Sequence, residues 1–283
     1  VKDELYISDL DGTLLDGKAR LSSFSRNELN KMINQGLSFT VASARSLASM
    51  QRLLFGLDIK LPVIEFNGAF ISDFSTGEHL QINSIDSGVI DEIILDLAGF
   101  GQVPLISGFD GKKDRLFFLE IRNEGEEWYI NDRKEVKDPR LARAKNLEEA
   151  LGTEVVCLTI IDKEEKLIDL TGELENKYSN DVEIHLFENP YSPGWHWLTI
   201  HDKKASKDQG IISLTKITGH SLEKLTVFGD NLNDLKMFAL APRAVAVENA
   251  RDQIKEAANS FTGSNEEDGV VRYILENWTG NRR

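Results

Sequence analysis

Leu5-Tyr6-Ile7-Ser8-Asp9-Leu10-Asp11-Gly12-Thr13 is the stretch on which the reading of the whole chain turns. Leu5 to Ser8 is a short apolar run that ends in an Asp-Gly turn, which suits a buried strand. Outward from it, Ser22 to Gln35 reads as a helix, with Leu29, Met32 and Ile33 on one face and Gly36 just past its end. Leu37 to Ala42 is strand-like, and Ser46 to Phe55 carries Leu47, Met50 and Leu54 at helical spacing. Pro62 to Phe66 is another apolar run, closed by Asn67-Gly68. This β-α-β-α-β order predicts a parallel sheet with right-handed crossovers.

The same rhythm returns near the other end. Leu225 to Phe228 reads as a strand and is followed by a helix, a strand at Ala244 to Val247, and a helix around Asp252 to Ala258. Gly269 to Trp278 closes the pattern as a helix with Val270, Val271, Ile274, Leu275 and Trp278 facing inward. Between these halves the pattern differs. Ile90, Ile93, Ile94 and Leu97 form one helical stripe, and strand-like runs follow at Val103 to Ser107 and Leu116 to Arg122. Strand Glu154 to Ile161, helix Glu164 to Tyr178 and strand Val182 to Phe187 complete the stretch. The expected architecture is a Rossmann-like α/β core built from residues 1–83 and 194–283. An α+β domain, residues 84–193, interrupts it.

Composition bounds the function. With 283 residues, 41% hydrophobic and 28% charged, the chain is long and apolar enough to bury a real core. Lys plus Arg total 33 against 47 Asp plus Glu, a formal net charge of −14. Such a surface repels nucleic-acid phosphates, so a nucleic-acid partner is not expected. A small anionic substrate would need a metal or local cations to reverse the field at its site. The single cysteine, Cys157, excludes a disulfide framework or a multi-cysteine zinc site. No run approaches the ~18 apolar residues of a membrane helix. The first residues are charged at once, with no secretory apolar stretch, so a soluble cytoplasmic protein is the expectation.

Asp9 and Asp11 stand at the carboxyl end of the first strand, where ligands bind in parallel α/β sheets. Two carboxylates this close repel, and they favour a hard cation with oxygen ligands such as Mg²⁺. An Asx turn, with Asp-Gly supplying the reversal, explains the pair equally well on its own. A second cluster changes the balance. Gly229-Asp230-Asn231-Leu232-Asn233-Asp234 again follows an apolar strand and opens a helix. Asp234 there could serve as a helix cap, yet four carboxylates converging on one sheet end without a metal would be costly. Ser43-Ala44-Arg45 follows the second strand, where a hydroxyl and free backbone N–H groups offer a phosphate site, or where Ser43 simply caps a helix near Ser46. Lys207 precedes a short helix where the chain re-enters the core, and by itself is one lysine among many.

Taken together, Asp9-Leu10-Asp11-Gly12-Thr13, Ser43, Lys207 and the Gly229–Asp234 segment resemble, in that order, the four motifs of the haloacid dehalogenase superfamily. The insertion between the second and third motifs resembles the C2-type cap of its Cof-type phosphatases, and Asn67-Gly68-Ala69 matches that subgroup as well. The resemblance implies a Mg²⁺-dependent phosphatase of small phosphorylated metabolites, sugar phosphates or phosphorylated cofactors. In it Asp9 would be the nucleophile and would form an aspartyl-phosphate, and Asp11 would be the general acid and base. Mg²⁺ would be held by Asp9, the backbone carbonyl of Asp11 and Asp230, with Asp234 in support. Ser43 and Lys207 would bind the phosphoryl group with Asn233 nearby; Ala44, Arg45 and Asn67 join the substrate-binding set.

Two positions depart from the family pattern. Ser43-Ala44-Arg45 stands where Thr-Gly-Arg is usual, and Ala44 tolerates positive φ less well than glycine. Asp208 replaces the glycine usual after the motif lysine. In that family the cap closes over the core and selects the substrate. The aromatic pair in Trp195-His196-Trp197, at the return from cap to core, could contact a leaving group or simply pack into a core; Trp128-Tyr129 reads the same way, and no role falls to His185 or His196. Arg122 and Lys112-Lys113 could meet a second anionic group, or be solvated loop charges. A phosphomutase is the rival enzymatic reading, since an aspartyl-phosphate can return its phosphoryl group to substrate. A phosphate-sensing module on the same fold is the rival of another class.

Overall fold

The structure, a computed structural model, describes residues 4–189 and 191–280; residues 1–3, part of the charged start, lie outside the described residues. Leu5–Ser8 occupies the interior of a five-stranded sheet, between Leu225–Gly229 on one side and Ser38–Val41 on the other. Arg243–Ala246 and Ser260–Phe261 extend the sheet beyond Leu225–Gly229, and every pairing is parallel. All four residues of Leu5–Ser8 are buried. That explains why the stretch reads as a continuous apolar run, since a parallel strand is covered on both faces. The crossover helices form as their caps dictate. Ser22 accepts from the Ser25 N–H at the start of Ser23–Asn34, which buries Leu29, Met32 and Ile33. Gly219, at φ 75°, ends Lys207–Thr218.

After Ser38–Val41 the chain does more than add a sixth parallel strand. Ala42 and Ile64 form an isolated parallel bridge. Val63–Glu65 then turns back into Phe70–Ser72, and His79–Ile82 completes a small three-stranded sheet. Only the first of these strands was expected.

The chain divides into two compact units: residues up to Gln81 with those from Ser206 onward, and Ile82–Ala205. The second unit holds a six-stranded sheet in the order Val182–Glu188, His196–Asp202, Glu154–Asp162, Leu105–Phe109, Asp114–Phe118, Leu141–Arg143. Its pairings are antiparallel except the last. Neighbouring residues on these strands serve different apolar clusters, as period-two alternation requires. Ile106, Leu158, Ile160 and Leu198 meet Ile93 and Leu97 of helix Ser87–Gly99 and Leu167, Leu170 and Leu174 of helix Glu164–Tyr178. Leu105, Leu116, Ile161 and Trp197 meet Ile130 of helix Glu124–Glu135.

Two expectations need correction here. The core was expected to resume at residue 194, but His196–Asp202 pairs along its whole length with Val182–Glu188, from His196 opposite Glu188 to Asp202 opposite Val182. The return therefore falls at Ser206, and the Trp195-His196-Trp197 segment belongs to the insert. Trp197 is buried there, with the rings of Trp128 and Tyr129 edge-on at 6.2 and 6.1 Å, a packing role as read. The Leu116 to Arg122 strand is observed as Asp114–Phe118. Asp110 Oδ1 accepts the N–H groups of Lys112 and Lys113 at 2.9 and 3.0 Å, so the turn starts earlier and pulls the hairpin register with it. Among the described residues no helix is long and apolar enough to cross a membrane.

Candidate active site

Ser8 stands opposite Phe228 in the parallel pairing, so the two strands end side by side and release Asp9 and Asp230 into the same space. The Asp9 N–H donates to the Phe228 carbonyl at 3.0 Å and locks that juxtaposition. The chain can then turn away only because position 12 is glycine. Its φ is +76°, and a Cβ there would collide with Asp230 Oδ2. Thr13 Oγ1 donates to Asp230 Oδ1 at 2.8 Å, tying the far side of the turn to the second acidic segment.

Asp234 is wholly buried and used on both oxygens. Oδ2 accepts the N–H groups of Asp230 and Asn231 at 3.0 and 3.1 Å, closing a capping box with Asn231, and Oδ1 accepts from Lys207 at 2.7 Å. The cap role weighed for Asp234 is therefore real, and it coexists with a place in the site. Lys207 Nζ also donates to Asp9 Oδ1 at 2.6 Å, although only 1% of the residue is exposed. One ligand oxygen from each of Asp9, Asp230 and Asp234 falls within a 4.8 Å span.

The charges in this cluster do not balance. Burial pushes the Asp9 carboxyl well above its usual range; Lys207 pulls it back, while Asp234 and Asp230 push it further up. Asp230 is pushed up to about 6, first by burial and then by Asp234, against the Thr13 hydrogen bond and Lys207. Burial alone would lower Lys207, but Asp234 and Asp9 outweigh it and hold the ammonium charged. Three carboxylates thus face one cation. A hard divalent cation fits this all-oxygen donor set, with Asp9 and Asp230 the side chains placed to hold it. Asp234 backs them through Lys207 and the backbone of Asp230.

The remaining expected residues fall into two further groups. Asp11 lies outside the acidic triplet: its carboxylate takes both Nε and Nη2 of Arg45 at 2.6 Å, a bidentate ion pair. Arg45 is thereby committed to Asp11 in this state. Ser43 is buried, and its hydroxyl accepts the Arg45 N–H at 3.2 Å. The helix cap weighed for Ser43 is Ser46 instead, which accepts from Ser49. Ala44 is exposed and is not among the residues of positive φ, so this backbone makes no demand for glycine there. Asn233 Nδ2 donates to Asn67 Oδ1 at 3.3 Å, and the Asn67 N–H donates to the Ser43 carbonyl at 2.9 Å, so these three form one chain of contacts.

Three residues of the site's support escaped the sequence reading. Thr13 sits inside the quoted motif and its hydroxyl was the available signal. Glu65, fully buried at the end of an apolar run, accepts the Leu47 N–H at 2.5 Å and the Ser72 hydroxyl, fixing the start of the helix after Arg45. Asn249 holds the Gly12 carbonyl at 2.7 Å from 237 residues away, with no local trace.

A model of the haloacid dehalogenase-like hydrolase family matches residues 6–274. Two 5-amino-6-(5-phospho-D-ribitylamino)uracil phosphatases of Bacillus subtilis (strain 168) are similar along nearly their whole lengths. YitU is 26% identical over 97% of both chains, and YwtE 27% identical over 94% of this chain and 95% of its own. A crystal structure of a haloacid dehalogenase-like hydrolase from Bacteroides thetaiotaomicron shares the fold, with a TM-score of 0.78 at 23% identity, covering 97% of this chain and 99% of that one. With the family model matched over residues 6–274, almost the whole chain, this protein belongs to the haloacid dehalogenase-like hydrolase family.

Proposed function

We propose that the chain is a Mg²⁺-dependent phosphatase of small phosphorylated metabolites, working through an aspartyl-phosphate on Asp9. The observation that carries this reading is the Asp9–Lys207–Asp234 chain of buried ion pairs beside Asp230, which aims one nucleophilic carboxylate at a space two other acids keep attractive to a cation. Mg²⁺, held by Asp9 and Asp230 with the backbone of Asp11, would offset the repulsion between the carboxylates and an anionic phosphoryl group.

Asp9 attacks phosphorus and the bond to the ester oxygen breaks; Asp11, released from Arg45 and protonated from solvent before the step, delivers that proton to the leaving oxygen. Asp11 then takes a proton from water as the water oxygen attacks the acyl phosphate, which releases inorganic phosphate and restores Asp9. Lys207 orients Asp9 through its 2.6 Å hydrogen bond and supplies positive charge where the phosphoryl oxygens gather. Ser43 and Asn233 donate to those oxygens. The two B. subtilis relatives are named for a phosphorylated ribitylamino-uracil, so that compound is the first substrate to assay, followed by sugar phosphates.

The test is phosphate release from such a panel with and without Mg²⁺, using Asp9→Asn as the blank. Release that needs Mg²⁺ and vanishes in the variant is expected. Undiminished release by Asp9→Asn would overturn the covalent route.

A further inference from the structure

Phe66, Asn67 and Gly68 have φ values of 45°, 57° and 116°, three consecutive residues on the positive side. Asparagine accepts such a backbone; a bulky phenylalanine does so only under compulsion. Strain of this kind persists where surrounding contacts over-determine it, and it gathers at functional sites. The contacts here are specific. The Phe66 N–H donates to the Arg45 carbonyl at 3.2 Å and the Asn67 N–H to the Ser43 carbonyl at 2.9 Å, so the turn grips the Ser43–Arg45 loop at both ends. The Gly68 backbone lies against the start of the next motif. A Cβ on it would come within 2.7 Å of the Ser206 carbonyl oxygen, one residue before Lys207. A Cβ on Gly210, one turn into the Lys207 helix, would meet Gly68 Cα at 3.3 Å. The Asn67 side chain, buried, accepts from Asn233 Nδ2 at 3.3 Å.

A single turn therefore touches the three segments that carry Ser43, Lys207 and Asn233. These lie 164 and 26 residues apart along the chain, and no element of the parallel sheet joins all of them directly. We propose that Asn67 is a positioning residue, and that the Phe66–Gly68 turn sets the spacing of the phosphoryl-binding groups Ser43, Lys207 and Asn233. This inference rests on the phosphatase reading. Asn67 acts through its left-handed backbone and its amide, and its buried oxygen is occupied by Asn233, so the substrate-binding role expected for it becomes an indirect one. A preorganised set of donors is what such a site needs, because donors that must move at the moment of reaction lose much of their effect.

Two variants separate the backbone from the amide. Asn67→Gly keeps the left-handed conformation and the N–H but deletes the side chain; Asn67→Ala deletes the side chain and strains the backbone as well. The probe is inorganic phosphate, titrated calorimetrically in Mg²⁺ buffer, alongside amide hydrogen exchange over residues 43–45 and 206–208 and the KM and kcat of the best substrate. In Asn67→Ala phosphate affinity falls on the order of tenfold, about one net hydrogen bond, and exchange accelerates in both segments together. Asn67→Gly recovers part of both losses. Unchanged phosphate affinity in Asn67→Ala would overturn the proposal. Weakened affinity with unchanged exchange in both segments would also overturn it and make Asn67 a direct ligand. Wild-type protein that binds no phosphate would overturn the phosphatase reading itself, a different result from either.

Discussion

Each unit buries a long cation, and the two are used in opposite ways. In the insert, Arg140 is 4% exposed and pairs with Asp138 two residues earlier, Nε to Oδ1 at 3.0 Å and Nη2 to Oδ2 at 2.7 Å, with Arg133 a further 3.8 Å from the same carboxylate. Burial would raise Asp138, yet the Arg140 hydrogen bond and charge outweigh it and hold the acid below its usual range. In the core, Lys207 is equally buried, but its two partners come from 198 and 27 residues away, and a third acid stands beside them. There Asp9 and Asp230 are pushed up. A local pair that satisfies its acid is structural. A long-range cluster that leaves its acids frustrated waits for something to complete it.

The contrast is broken most sharply by removing one acid from each. Asp9→Asn should lower turnover by at least about a thousandfold, since it deletes the nucleophile. The metal-free protein should stay folded, because one of three crowded carboxylates has gone; thermal unfolding beside the activity assay checks both. Asp138→Asn should do the reverse. It removes the bidentate carboxylate from a buried guanidinium and should cost on the order of 3 kcal/mol in a denaturant titration, with turnover per folded molecule unchanged. A catalytic loss in Asp138→Asn, or a large stability loss in Asp9→Asn, would erase the distinction.

What was legible in the sequence follows the same line. Asp9, Asp230 and Asp234 are legible because two acidic turns stand at the ends of apolar strands of one expected sheet, whereas Lys207, one lysine among many by itself, is legible only through the order of the four motifs. The parallel order of the core was legible for a related reason, since strands buried on both faces are continuous apolar runs. The Asp11–Arg45 pair and the Phe66–Gly68 turn were not, because each depends on side chains or backbones that meet only after the sheet has formed. The acid-rich helix Glu124–Glu135 hid for a different cause: it buries only Gly125, Glu126 and Ile130, too little apolar surface to show a period. The place of His196–Asp202 in the insert is not legible either, because the Asn189–Gly194 link before it has the turn-rich composition that a domain junction shares.

Acidity provides the finest discrimination between the two units, since it acts on them with opposite sign. Asp230 sits at about 6 in the folded protein against an ordinary 3.8. Between those values the folded chain holds a proton that the unfolded chain has released, so the Asp230 contribution is complete below about pH 4 and is lost as pH rises through 6. His201 of the insert, buried beside Cys157 Sγ at 3.6 Å, is lowered to about 3 from 6.5, first by burial and then by His185. The unfolded chain binds a proton there that the folded chain refuses, and stability is lost as pH falls from 6.5 toward 3. The two slopes overlap and partly cancel in the wild type, so each has to be read by difference. In chelator-treated protein, Asp230→Asn should gain stability over wild type by an amount that grows from pH 4 to 7, up to about 3 kcal/mol at ~1.4 kcal/mol per pKa unit. His201→Gln should remove the loss on the acid side and leave the other slope intact. Saturating Mg²⁺ at pH 7.5 should raise the unfolding temperature of wild type and of His201→Gln but not of Asp230→Asn, because the charge that destabilises the empty core is the charge that holds the ion. If Mg²⁺ stabilises Asp230→Asn as fully as wild type, the acids are crowded for some other reason and the core cluster becomes, like the Arg140 pair, a piece of structure.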